Sequence, residues 1–278
     1  MSLAEDRAQV FAANRAVGRI ELAAHYGRGI TSRARLHESG GLRMHFPGAR
    51  ARARELEAVL INTAGGIAGG DRFDLDIAAG DGARLTVTSA AAEKVYRSLG
   101  PDATIRVKLT AGAGAAIAWL PQETILFDGA RLDRTIDVEL APDARLIFAE
   151  AVVFGRIGMG ETVAHGAIAD RWRVRRGGAL VYAETLRLDG AIAEKLGRAA
   201  IANRGAAIAT VLIVPGSAET LEPLRALGSD LRGEVGTSAW NGIAVARLCA
   251  ADGAALRHDL VALLTALRGR SLPRLWLN

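Results

Sequence analysis

Cysteine occurs once in the 278 residues, as Cys249. No disulfide can form within the chain, and a reducing compartment, the cytoplasm, is expected. Cys249 lies in an apolar stretch with nothing beside it to activate a thiol, so it reads as core. Histidine is nearly as scarce. His25, His37, His45, His165 and His258 lie far apart and never in H-x-x-x-H spacing, so no tight zinc or nickel site can be written from the sequence. No G-x-S-x-G is present. Aromatics make up 5% of a chain that is 50% hydrophobic, which leaves the core to Ala, Val, Leu and Ile. No apolar run reaches the roughly 18 residues of a membrane helix. Met1 to Asp6 lacks the apolar segment of a signal peptide.

Basic charge is in mild excess, with Lys+Arg 35 against Asp+Glu 30, a net +5. The arginines are scattered, with short clusters only at Arg50–Arg54 and Arg171–Arg176. A nucleic-acid binder more often gathers its charge into one stripe with aromatics between. The balance supports a mild preference for acidic partners.

What the chain does have is glycine in a concentrated form. The apolar run Ala58 to Ile61 leads into Asn62-Thr63-Ala64-Gly65-Gly66-Ile67-Ala68-Gly69-Gly70-Asp71. Gly65, Gly66, Gly69 and Gly70 permit positive φ or close backbone approach, so this stretch predicts a tight corner. A phosphate cradle is a poor match. Asp71 stands where a P-loop needs Lys, and G-x-G-x-x-G is not spelled in any register. Free backbone amides in such a corner could instead hold the Asp71 carboxylate.

Around the corner the pattern is that of short strands with turns every 8–12 residues or so. Strands are expected over 17–26, 31–36, 42–46, 55–62, 71–77, 83–88, 104–109, 115–120, 134–140, 144–149, 170–176, 179–186 and 206–214, with a further one over 238–250. Residues 150–156 are expected to start helical. Short helices are predicted over 193–199 and over 217–227, the latter capped by Ser217. An amphipathic helix over 254–267 carries Leu256, Leu260, Leu263, Leu264 and Leu267 on one face. The expectation is a lead-in at 1–16 and one mainly β domain over 17–278, built of stacked short strands, with helices concentrated toward the C-terminus.

The remaining chemistry is acidic. Asp71, Glu93, Glu123, Asp128, Glu150, Glu161 and Glu184 each adjoin an apolar or Gly-rich stretch. Such carboxylates are either paired with Arg or line a wet path, and at least one or two are expected to face a polar interior. An enzyme working with paired carboxylates and a weak nucleic-acid binder using the Arg excess stay open as alternatives.

Three blocks then carry a resemblance: the glycine corner, Ala92-Glu93-Lys94-Val95-Tyr96-Arg97-Ser98, and Trp119-Leu120-Pro121-Gln122-Glu123 through Phe127-Asp128-Gly129-Ala130. Together with Phe154-Gly155-Arg156, Gly158-Met159-Gly160-Glu161, Trp240-Asn241-Gly242, Arg247 and Pro273-Arg274-Leu275-Trp276, they resemble the urease accessory protein UreD (UreH) family from about residue 17 onward. The resemblance implies a helix-like stack of strands and a non-enzymatic role with no catalytic residue. It implies that the chain binds apo-urease and UreF, which recruits the GTPase UreG, with a possible dimer in that assembly. It also implies nickel delivery through an internal passage, with no tightly bound cofactor and nickel held only in transit. Spaced oxygen ligands suit that role because a closed His/Cys site would not release the ion. Asp71, Glu93 and Glu184 are the first candidates to touch nickel, with Asp128 and Glu161 next.

Overall fold

The computed structural model describes residues 14–48 and 54–277. The expected lead-in and the Arg50–Arg54 cluster fall largely outside them.

Two sheets face each other. The first contains β1 (Val17–Gly27), β2 (Ile30–Gly40), β5 (Arg72–Ala79), β8 (Ala103–Ala111), β11 (Arg131–Leu140), β13 (His165–Arg176) and β14 (Ala179–Ala191). The second contains β3 (Leu42–His45), β4 (Leu56–Asn62), β6 (Arg84–Ser89), β9 (Ala116–Leu120), β12 (Arg145–Phe154), β15 (Ala207–Val214), β16 (Glu234–Trp240) and β17 (Ile243–Ala250), with the short β7 (Glu93–Val95) and β10 (Thr124–Leu126) attached.

From β4 to β13 the chain winds between the two sheets, laying each strand parallel to its predecessor in the same sheet. Thus β1, β5, β8, β11 and β13 run parallel on one side. On the other side β4, β6, β9 and β12 do the same. This is a coil of stacked strands, as expected. Its period-2 origin is plain in β5, where Phe73, Leu75, Ile77 and Ala79 point in while Arg72, Asp74, Asp76 and Ala78 point out. The turns stack as well. Gly82 N donates to the Ala113 carbonyl at 2.8 Å, and Asp81 Oδ1 accepts from Ala113 N at 2.8 Å.

One apolar core lies between the sheets. The helix α1 (Ile192–Leu196) closes one end of this core with Ile192 and Leu196. A second core lies behind the ten-stranded sheet, under α2 (Glu222–Arg225) and α3 (Gly253–Arg268); α3 supplies most of the cover. Helix α3 begins where Asp252 accepts from Ala255 N at 2.8 Å and stops at Gly269 in the left-handed region. Leu256, Leu260, Leu263 and Leu264 are buried on the sheet, each contributing roughly 1.5–3 kcal/mol.

Three expectations are corrected. Residues 150–154 continue β12, because the β-branched Val152 and Val153 pair with β10 on one side and β15 on the other. Ser217 is not a helix cap: its Oγ donates to the Glu219 carboxylate, and a 3₁₀ turn at Glu219–Leu221 precedes α2. Residues 238–250 form a hairpin rather than one strand. Asn241 (φ 49°) and Gly242 (φ 77°) turn the chain between β16 and β17, the positive pair that a two-residue Asn-Gly loop favours.

Candidate functional site

The glycine corner joins β4 of one sheet to β5 of the other, and its neighbours are the other sequence blocks. Ile67 N donates to the Lys94 carbonyl at 2.7 Å, and Tyr96 N to the Ile67 carbonyl at 2.8 Å. Strand β7 then pairs with β10, and β10 with β12. Motifs from residues 62–71, 92–98, 121–130 and 150–156 thus stack as successive rungs at one corner of the coil. Gly66 (φ 138°) faces the Tyr96 ring and the Lys94 carbonyl, where a Cβ would collide. Gly69 is equally closed: a Cβ there would meet Ser98 and lie 2.6 Å from the Pro101 carbonyl.

Between this corner and the two sheets is a cavity of about 250 Å³. Its walls are mostly apolar, among them Leu42, Phe73, Leu75 and Val107; its polar lining is Asn62, Ser89, Glu93, Lys94, Gln122, Thr124, Arg134 and Glu150. Glu93 is half-buried and accepts from Asn62 Nδ2 at 3.0 Å. Burial raises its carboxyl pKa above the ordinary value, and the Asn62 amide only partly opposes this.

At the inner side the polar groups meet. Arg134 points inward from β11, and Asp170 is its register neighbour on β13. Glu150 reaches across from β12 in the other sheet. Arg134 Nη1 lies 2.6 Å from Glu150 Oε2. Its Nε and Nη2 take both Asp170 oxygens, at 3.0 and 2.5 Å. Trp119 Nε1 donates to Glu150 Oε1 at 2.7 Å. Burial opposes the charge on Arg134, but the Asp170 and Glu150 carboxylates outweigh it and hold the guanidinium firmly protonated. Burial pushes the Glu150 carboxyl up, against the pull of Arg134. Both carboxylates are engaged by that guanidinium.

Glu150 also lines a second hollow, of about 50 Å³, together with Asp170, Trp172, Glu184 and Thr210. The Trp172 indole N–H is buried without a partner. Glu184 accepts from the Tyr182 hydroxyl and lies 3.3 Å from Arg247 Nη2. Burial, reinforced by Glu184, raises the Tyr182 pKa, so the phenol stays a donor.

The expected acidic residues therefore separate. Glu93 and Glu184 line the two hollows. Asp71 is buried, but its oxygens accept from Ala16 N at 2.8 Å and Ala68 N at 2.7 Å, which makes it the pin of the corner. Asp128 and Glu161 lie together outside the hollows. Asp128 accepts from His165 N at 3.0 Å, and Glu161 pairs with Arg156 Nε at 2.6 Å, which lowers the Glu161 pKa. Glu123 is held by Arg257 at 3.0 Å. Arg134 and Asp170 were not among the sequence candidates, although a charge on the inward register of an alternating strand is the signal that marks them.

Among the described residues, no three His, Cys, Asp or Glu side chains converge as a metal centre. No helix there is long and apolar enough to cross a membrane. Several arginines on the outer face of the first sheet pair with acids, as in Arg19–Glu21, Arg171–Asp133 and Arg175–Glu139, so the face carries both signs rather than a basic stripe.

Fold and interior define a class: a strand-coiled protein with a carboxylate-bearing hollow between its sheets. The family model described as UreD urease accessory protein matches residues 16–277, and the chain belongs to that family. It is 57% identical to "Urease accessory protein UreD" of Rhodopseudomonas palustris (strain BisA53), over 97% of this chain and 93% of that one. It is 56% identical to "Urease accessory protein UreD 3" of Bradyrhizobium sp. (strain BTAi1 / ATCC BAA-1182), over 98% of this chain and 97% of the relative. The UreD of Bradyrhizobium diazoefficiens is 55% identical over 97% of this chain and 96% of its own length.

Proposed function

We propose that this chain is a non-enzymatic scaffold of urease maturation. It binds apo-urease and UreF, through UreF engages the GTPase UreG, and passes nickel to urease through its interior. The observation that carries the reading is the succession Glu93, Glu150, Asp170 and Glu184 along two hollows that share Glu150. Isolated oxygen donors bind a borderline cation weakly enough to release it, whereas a convergent His/Cys set would retain it. Nickel is cargo here, and no resident cofactor is needed. Asp71, Asp128 and Glu161 have their oxygens engaged elsewhere, and in this proposal they shape the protein rather than touch the ion.

The test uses Glu93→Gln and Glu184→Gln, which keep shape and remove charge. Each is co-expressed with UreF, UreG and the urease subunits. Gel filtration should show intact complexes, while the purified urease contains less nickel and has lower activity. Full nickel content with both variants would overturn the passage. Loss of complex formation before any loss of nickel would make the two residues structural.

A further inference from the structure

We propose that Glu150 and Asp170 form a latent divalent-cation site between the two hollows, and that the Arg134 guanidinium occupies it as a resident cation and gate. The proposal rests on the passage reading above and adds its control element. Glu150 comes from one sheet and Asp170 from the other, so the Arg134 fork is the only described cation joining the two carboxylates across the core. Arg134, Glu150 and Asp170 are all nearly inaccessible, at 5%, 4% and 1% exposure. With Arg134 in place the trio carries one positive and two negative charges. With the guanidinium swung out, two carboxylates face each other in a dry, low-dielectric gap, where an unpaired charge is costly. A doubly charged cation would neutralise them.

Two further features fit an exchange site better than a plain structural ion pair. Arg134 lines the larger hollow of about 250 Å³, which gives its side chain somewhere to go. On the far side, Trp172 lines the smaller hollow with both carboxylates, and its indole N–H is buried with no partner. An unsatisfied donor there has a use if water or a hydrated ion visits, since buried polar groups are otherwise paired. Arg134 also explains how an oxygen site in a dry interior avoids trapping metal: the returning guanidinium competes for the same oxygens and displaces the ion.

The test uses the full chain and nickel(II) alone as probe, with manganese(II) as a spectroscopic substitute. By equilibrium dialysis, Arg134→Gln should bind one divalent cation per chain about 10-fold or more tighter than the unmodified protein, the scale on which one neighbouring group changes metal affinity. Adding Asp170→Asn to Arg134→Gln should abolish the gain. Arg134→Lys, which keeps a charge but loses the fork, covers the case in which Arg134→Gln does not fold: nickel should raise its melting temperature but leave that of the unmodified protein unchanged. Folded variants with no gain in affinity and no nickel-dependent melting shift would overturn the gate. That failure is separable from failure of the passage. Normal nickel delivery by Glu93→Gln and Glu184→Gln would sink the passage and leave the cation gain of Arg134→Gln standing. Impaired delivery without that gain would do the reverse.

Discussion

Gly65→Ala and Gly66→Ala, adjacent substitutions of the same size, should differ sharply in cost. Gly65 has φ 81° and nothing within 4 Å of an added Cβ, so alanine there meets only the left-handed penalty, about 1 kcal/mol. Gly66 has φ 138°, a region that is essentially glycine's own and costs on the order of 1–3 kcal/mol for other residues. Its Cβ would also strike Tyr96, which cannot easily retreat. The Tyr96 ring packs edge-on against Phe127 at 5.1 Å, and its hydroxyl donates to the Gly65 carbonyl at 2.8 Å. The Lys94 carbonyl, 3.0 Å from the same Cβ, is fixed by the bond from Ile67 N. Together these put Gly66→Ala at about 3 kcal/mol, or roughly 6–12 °C in Tm for a chain of this size against roughly 2–4 °C for Gly65→Ala. Thermal unfolding followed by circular dichroism on both purified variants checks this. Equal shifts, or the larger one at Gly65, would refute the account of the corner as a strained and packed junction.

Other outcomes follow from the same contacts. Because burial raises the Glu93 carboxyl above its ordinary 4.5, the folded state holds that proton more tightly than the unfolded one. The stability this contributes is therefore complete below about pH 4.5 and lost as pH rises through the folded value. Glu93→Gln should be neutral or stabilising at pH 7, with its advantage over the unmodified chain shrinking on acidification. Greater destabilisation at pH 7 than at pH 4 in urea titrations would contradict it. Arg257 binds Gln122, Glu123 and the Leu275 and Trp276 carbonyls at once, so Arg257→Ala should cost about 2–4 kcal/mol and Arg257→Lys should restore only part of it. A cost within error of zero by denaturant unfolding would show that the tail is held by its apolar contacts alone.

The fold was legible because a strand buried on one face announces itself by period two, and most of these strands are of that kind. The errors arose where pairing, not pattern, decides. Val152 and Val153 are buried on both faces of a central strand, and such a run does not alternate cleanly. The glycine corner could be recognised as a corner, but its partners at Tyr96, Ser98 and Pro101 are tertiary contacts with no local signature. The inner charges were hidden by register. Reading β11 and β13 as beginning at Arg134 and Asp170 places each charge at a strand end, where solvent is ordinary. The strands begin instead at Arg131 and His165, which puts both residues well inside and on the face shared with Leu132, Ile136, Ile168 and Trp172.

Acidity alone therefore does not identify a place for a cation; what matters is which groups already hold the carboxylate oxygens. Asp71 receives two backbone amides that cannot move without dismantling the corner, so its negative charge is committed to the fold. Glu150 and Asp170 are held chiefly by a long side chain whose rotamers can change without touching a single strand pairing. Glu93 is held on one oxygen by Asn62, whose amide also donates to the Gly66 carbonyl and whose own oxygen accepts from Ala64 N. The same Asn62 thus fixes the corner and orients the first carboxylate of the hollow. Damage to the glycine corner should consequently reach the interior through Asn62 and Glu93, even though none of the four glycines offers a side chain to any ligand.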